Sequence, residues 1–273
     1  MTEPPARARV VDLSADVGEG FGAWGPTDDA AIMEHVTTVH VACGFHAGDP
    51  HIMGRAVEAA VAAGVAVGAH PSYPDLVGFG RRAMDVAPSS IAEDVLYQVG
   101  ALDGLARACG TRVRSVKPHG ALYTRMAEDV DCAWAVAEAV QAFDPTVWLV
   151  VPAGSSAWET ARNVQVPVVG EAFCDRAYLP DRTLVERGTP GSVMTDLDQV
   201  AERAHALVVE HMVTAVDGSV LWLDAGTLCV HGDSPGALAM VAAVRRRLQD
   251  ADVVLRAFTA DADADLEAGA DGG

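Results

Sequence analysis

Short apolar, β-branched runs alternate along the chain with longer stretches whose apolar residues recur at helical spacing. "ARVVDLS", "VTTVHVAC", "GVAVGAH", "TRVRSVKPH", "TVWLVVPAG", "VPVVGEAF" and "SVLWLDAGTLCVHG" read as successive strands, with "DVVLRAF" as a last short piece. Between them "HIMGRAVEAAVAAG", "PSSIAEDVLYQVGALDGLARACG", "DVDCAWAVAEAVQAF", "SSAWETARN", "TDLDQVAERAHALVVEHMV" and "SPGALAMVAAVRRRLQD" read as helices. They open on Ser, Asp or Pro and several close on Gly, the residues that satisfy orphan backbone groups at helix ends. Strict βα alternation implies parallel strands joined by crossover helices. Periodicity alone is compatible with an open doubly wound sheet or a closed barrel, and the lack of a GxGxxG turn after the first strand favours the barrel. One long irregular stretch, residues 174–194, is a candidate lid or partner loop.

No shift in composition and no Pro/Ser-rich linker divides the 273 residues. A single domain is therefore expected over residues 10–258, after a flexible polar segment (1–9) and before an acidic, small-residue tail (259–273). A net charge of −19 opposes binding to nucleic acid or anionic lipid, since both need clustered Lys and Arg. The five cysteines are scattered and include no CxxC pair, which argues against a disulfide framework or a thiolate zinc site and suits a reducing cytoplasm. Neither a secretion-type opening nor an apolar run of about 20 residues is present, so no membrane association is expected.

Polar residues collect where the apolar runs stop. The first strand ends in Asp12, Asp16 and Glu19, the second in His46 and Asp49, and the third in His70 and Asp75. The fourth ends in Lys117, His119 and Tyr123, a later one in Glu171, Asp175 and Arg176, and the last clear one in His231 and Asp233. In parallel β/α folds the carboxyl ends of all strands open on one face, so these groups should meet in one pocket. A single imidazole after a strand is well explained by a structural hydrogen bond; four beside Gly, Pro or carboxylates indicate a site. His35, His51, His205 and His211 fall in helical patterns and read as surface residues, and His40 as a packed strand residue. With no GxSxG, no GxxxxGK[ST] loop, and Cys43 and Cys174 in apolar surroundings, what remains is hydrolysis by carboxylate and imidazole, with or without a metal. Lys117 and Arg176 are suited to binding a carboxylate or stabilising developing negative charge.

In order and spacing, "DLSADVGEGFG", "VACGFHAGDP", "GAHPSYPD", "KPHGALY", "EAFCDRAY", "RGTPGSV" and "CVHGD" resemble the LamB/YcsF family over residues 10–258. The resemblance implies an α/β fold, a single-domain, somewhat irregular seven-stranded parallel β/α barrel of TIM-like, glycoside hydrolase or deacetylase type. It also implies the A subunit of a prokaryotic 5-oxoprolinase, which opens the lactam of 5-oxo-L-proline to L-glutamate with subunits B and C. ATP is then a co-substrate handled with those partners. Within that reading Asp16 and His119 activate water or shuttle protons, and His46, His70 and Glu171 orient or tune them. Lys117 and Arg176 anchor the substrate carboxylate or a phosphorylated intermediate, and Asp49, Tyr123, His231 and Asp233 complete substrate binding. Ser14 and His40 depart from the family pattern, which commonly has Asn at both places. A more distant likeness to deacetylase-type barrels implies a divalent ion on Asp16, His70 and His119, with a metal-free hydrogen-bond network as the alternative. Two other functions stay open: a stand-alone metal-dependent deacetylase or amidohydrolase acting on sugars or amides, and a non-catalytic ligand-binding subunit.

Overall fold

The structure, a computed structural model, describes residues 9–24, 28–231 and 236–260. In chain order its elements are β1 (Val10–Val17), α1 (Asp29–Met33), β2 (Thr38–Ala42), α2 (Pro50–Ala63), β3 (Ala66–His70), α3 (Pro88–Ala108), β4 (Ser115–Val116), α4 (Gly120–Glu128) and α5 (Val130–Phe143). They continue with β5 (Trp148–Pro152), α6 (Ala157–Asn163), β6 (Val168–Phe173), α7 (Leu197–Val209), β7 (Met212–Thr214), β8 (Val220–Trp222), β9 (Thr227–Val230), α8 (Ala237–Gln249) and β10 (Val254–Leu255). Strands β1, β2, β3, β4, β5, β6 and β9 pair in that order, all parallel, and β9 pairs back onto β1, closing a seven-stranded barrel. No helix among the described residues is long and apolar enough to cross a membrane.

Closure follows from the period-two pattern within each strand. Val11, Leu13, Ala15 and Val17 of β1 join the hydrophobic core shared with the helices, while Asp12, Ser14 and Asp16 hydrogen-bond to residues of other strands. Thr38 and His40 of β2, Ser115 of β4 and Thr227 and Cys229 of β9 join the same interior polar network. The barrel is therefore apolar on its outside, where helices cover it, and polar within. Small residues let those helices approach closely: α5 buries Ala133, Ala135, Ala137 and Ala139 and packs on α3, as α7 packs on α8.

Five expectations change in detail. "SVLWLDAGTLCVHG" is two strands: β8 leaves the barrel to pair antiparallel with β7, and β9 begins after a turn in which Gly226 N–H donates to Gly170 O at 2.9 Å. The fourth strand shortens to Ser115–Val116, although Arg114 and Lys117 still donate backbone bonds to Val67 and Ala69 of β3. α1 and α4 are additional helices, and His211 lies not in a helix but in a turn with φ 56°. Thr259, the first residue of the expected tail, is buried, so packing continues past Phe258.

At the lower end of the barrel Asp12 is wholly buried and accepts from Thr37, Thr38 and Thr227 hydroxyls at 2.7, 2.6 and 2.5 Å. Burial pushes its carboxyl up to about 6 from 3.8, and the three hydroxyls only partly oppose the rise. A raised carboxyl pKa means that the folded state holds the proton longer, so this group's contribution to stability declines as pH rises from 3.8 to about 6 and is flat above. Asp12→Asn is expected to remove that slope, so that the variant gains on the parent across this window in chemical denaturation run at a series of pH values.

Candidate active site

The carboxyl ends of the strands surround a cavity of about 710 Å³. Asp16 (β1), His70 (β3), Lys117 and His119 (after β4), Tyr123 (α4), Phe173 (β6), Arg176 (after β6) and His231 (after β9) line it, joined by Arg81, Leu184, Val185 and Arg187 from loops. The irregular stretch 174–194 thus forms one wall. Two bridges, Arg176 to Val193 and Tyr178 to Leu184, hold it folded back over the barrel mouth.

Lys117, the sole lysine in the sequence, occupies the centre. Its Nζ donates to Asp16 Oδ1 at 2.9 Å and to Cys229 Sγ at 3.2 Å, and lies 2.8 Å from Glu171 Oε1. Glu171 Oε2 accepts from Tyr123 Oη at 2.6 Å. Burial alone would discharge the ammonium, but the carboxylates of Asp16 and Glu171 outweigh it and hold the Lys117 pKa well above its ordinary value. Burial would likewise protonate Asp16, yet His70 and Lys117 keep its carboxyl well below the usual range. Cys229 remains a thiol, since burial outweighs the nearby ammonium. The centre is thus a fixed positive charge between fixed carboxylates, in a place that water reaches only from the cavity.

Beside it, four groups converge: Glu19 Oε1, His46 Nε2, His70 and His119, with one ligand atom of each within 4.8 Å of all the others. His70 Nδ1 faces the Lys117 carbonyl at 2.6 Å and His119 Nε2 faces the Phe79 carbonyl at 2.9 Å. A carbonyl only accepts, so both outer nitrogens carry hydrogen and the inner pair, His70 Nε2 and His119 Nδ1, meet at 2.9 Å. Burial first, then neighbouring imidazoles, holds His46 and His119 well below the ordinary range, so both are neutral. The inward lone pair of His119, with His46 Nε2, His70 Nε2 and the Glu19 carboxylate, 3.3 Å from His119 Nδ1 and 3.4 Å from His46 Nε2, makes a group suited to a cation.

The loop after β3 shapes this nest. Gln98 of α3 clamps Ser72 by two bonds, accepting from its N–H at 3.0 Å and donating to its carbonyl at 2.9 Å. Phe79 takes the left-handed conformation (φ 53°) and lays its ring edge-on to His46 and His119. Gly80 follows at φ 63°, where an added Cβ would overlap Ser72 Oγ and come within 2.9 Å of both His119 and His46. Only glycine suits that position.

Of the residues expected at the site, Asp16, His70, Lys117, His119, Tyr123, Arg176 and His231 share the cavity. His46 and Glu171 lie one layer behind, fully buried. Asp49 does not line the cavity: its carboxylate caps α2 through His51 and Ile52 N–H and also accepts from Gly22 N–H. Asp233 lies outside the described residues. Arg176 is partly committed to the wall, donating to Ser192 O at 3.2 Å and Val185 O at 2.6 Å, and burial together with Arg187 lowers its pKa to about 10. Of the expected cation ligands Asp16, His70 and His119, the two imidazoles converge with Glu19 and His46, whereas Asp16 accepts from Lys117 through Oδ1 and lies 3.4 Å from His70 Nε2 through Oδ2. Ser14 and His40 are fully buried beneath the cavity and do not line it. Cys43 is inert as expected, its thiol pushed up to about 12 by burial.

Removing the central ammonium while leaving both carboxylates should be severely destabilising. Lys117→Met is expected to lower the unfolding free energy by about 3–5 kcal/mol, the usual penalty for orphaning one side of a buried ion pair, and Lys117→Met combined with Asp16→Asn should recover part of it. Urea denaturation of the parent, the single and the double variants measures both.

Comparison with known proteins agrees with this architecture. The LamB/YcsF family model matches residues 11–263. A protein of Pseudomonas syringae pv. tomato, named as an A subunit of 5-oxoprolinase, is 52% identical over 250 residues, covering 92% of this chain and 98% of that protein. Another of the same name, from Kocuria rhizophila, is 52% identical over 249 residues, covering 91% and 99%. Among solved structures, a lactam utilization protein from Thermus thermophilus superposes with a TM-score of 0.86 at 48% identity, covering 91% of this chain and 99% of that one. A family model spanning nearly all of the barrel, and relatives of this identity matched over almost their full length, show that the chain belongs to the LamB/YcsF family.

Proposed function

We propose that this chain is the A subunit of a 5-oxoprolinase, opening the lactam of 5-oxo-L-proline to L-glutamate together with subunits B and C and with ATP as co-substrate. The observation that carries the reading is 52% identity to a protein named as the A subunit of 5-oxoprolinase, over 98% of that protein's length. The cavity suits such a ligand. In a chain of net charge −19, Arg81, Arg176, Arg187 and Lys117 all border one pocket and favour a small carboxylic acid there. Lys117, held charged, is placed to stabilise negative charge developing on a carbonyl oxygen. A lactam is a resonance-stabilised amide, and coupling to ATP makes its opening favourable. The sequence carries no phosphate loop, which supports nucleotide handling that involves the partners. Five free cysteines support a reducing, cytoplasmic setting.

The Glu19, His46, His70 and His119 nest fits a divalent ion. Adjacent ligands of a tetrahedral zinc site stand about 3.3–3.6 Å apart, as bond lengths of about 2.0–2.2 Å require. The corresponding separations here are 2.9, 3.3 and 3.4 Å. The outer nitrogens of His70 and His119 are already tied to carbonyls, the arrangement that orients metal-binding imidazoles. Such an ion would supply Lewis acidity at the edge of the cavity. The chain's own residues would orient the acid and hold its carbonyl against Lys117.

The purified chain mixed with its two partner subunits is expected to convert 5-oxoproline and ATP to glutamate and ADP, and Asp16→Asn to lower that rate at least about a hundredfold. An intact complex that releases no glutamate would overturn the reading. Metal-stripped protein is expected to take up one equivalent of Co²⁺ with the visible absorption of a tetrahedral site, and His46→Gln to lose it; absorption unchanged in that variant would remove the nest as the binding site.

A further inference from the structure

His231 differs from every other imidazole near the cavity. It follows β9, and its Nδ1 lies 2.9 Å from both oxygens of Asp175, which stands just beyond β6. A carboxylate accepts only, so Nδ1 carries the hydrogen, and in the uncharged form of the ring the lone pair is on Nε2. Among the described residues no hydrogen bond reaches that nitrogen, while the ring lines the cavity with Asp16 and Lys117. His70 and His119 also line it, but each has one nitrogen tied to a backbone carbonyl and the other turned inward to the group formed with Glu19 and His46. Phe173 stacks on the His231 ring at 5.1 Å and 11°, and also lies 5.3 Å beneath the Lys117 ammonium. The ring thereby restrains the imidazole. Asp175 is fully buried; burial raises its carboxyl, but the contact with His231 and the charge of Arg187 hold it below the ordinary range.

We propose that His231 is the proton-transferring catalytic residue of this cavity and Asp175 its positioning residue. The inference rests on the lactam-opening reading above. Nε2 takes a proton from water as the water oxygen bonds to the lactam carbonyl carbon, and returns it to the ring nitrogen as the C–N bond breaks. One O–H bond and the C–N bond are lost, one C–O and one N–H bond are formed, and no oxidant or reductant is needed. Asp175 keeps the hydrogen on Nδ1 and stabilises the imidazolium that exists between the two transfers, the role a buried carboxylate plays behind a catalytic histidine.

In the complex assembled with its partners, His231→Gln is expected to lower kcat by about a hundredfold or more while KM changes less than about threefold. His231→Ala should regain activity with added imidazole. Asp175→Asn should also lower kcat, and ¹⁵N spectra of the parent chain should show His231 as the Nδ1–H tautomer, a signature lost in Asp175→Asn. Turnover of His231→Gln within about threefold of the parent, a change confined to KM, or an Nε2–H tautomer in the parent would each overturn the assignment. A parent complex inactive on 5-oxoproline overturns the lactam reading itself, whereas an active parent with an equally active His231→Gln overturns the dyad alone.

Discussion

One ammonium group organises the upper half of this barrel. Lys117 projects from the strand end after β4 and meets Asp16 of β1 at 2.9 Å and Glu171 of β6 at 2.8 Å, so a single positive charge ties three strands across the ring. Taking charges out of water costs several kcal/mol per ion unless they are paired at close range. Neither carboxylate can be buried here without the amine, and the amine cannot stay charged without them. The backbone of the same residue serves the neighbouring region, because its carbonyl accepts from His70 Nδ1 at 2.6 Å. Position and charge of the whole site therefore depend on one short strand end.

Around that centre the polar groups divide into two regions of different chemistry. On the side of β1, β2 and β3, three imidazoles and Glu19 converge on one point, under a lid of Phe79 and Gly80. On the side of β6 and β9, Asp175 and His231 form a hydrogen-bonded pair against Phe173, next to a loop wall held by Arg176. The first arrangement suits a cation and the second suits a mobile proton. Both border the same cavity, whose rim carries Arg81, Arg176 and Arg187 together with Glu128, Asp129 and Glu186.

Much of this was legible along the chain, for identifiable reasons. Parallel barrel strands end on one face, so polar residues at successive strand ends had to meet; Asp16, His70, Lys117, His119 and His231 do. Asp49 stands immediately before Pro50, which is a helix-start signature as well as a strand-end acid, and capping is what its carboxylate does. Glu19 was visible in the same block as Asp16, but a residue in a turn has no periodicity to tell where its side chain points. α4 was hidden because a nine-residue helix offers too few apolar positions to establish a period.

The order of strands, the polar lining at strand ends and the apolar outer face are properties of the sequence, since alternation along a strand and helical spacing between strands are local patterns that any β/α ring must express. Which imidazole turns its second nitrogen to Glu19, which turns it to the cavity, and which carboxylate faces imidazoles rather than an ammonium were decided only by tertiary structure. Those choices turn on separations of about 3 Å between atoms more than forty residues apart in the chain, such as His70 and His119 or Asp175 and His231. Hydrogen-bond partnership falls off within a fraction of an ångström, and no pattern along a one-dimensional string encodes distance at that resolution.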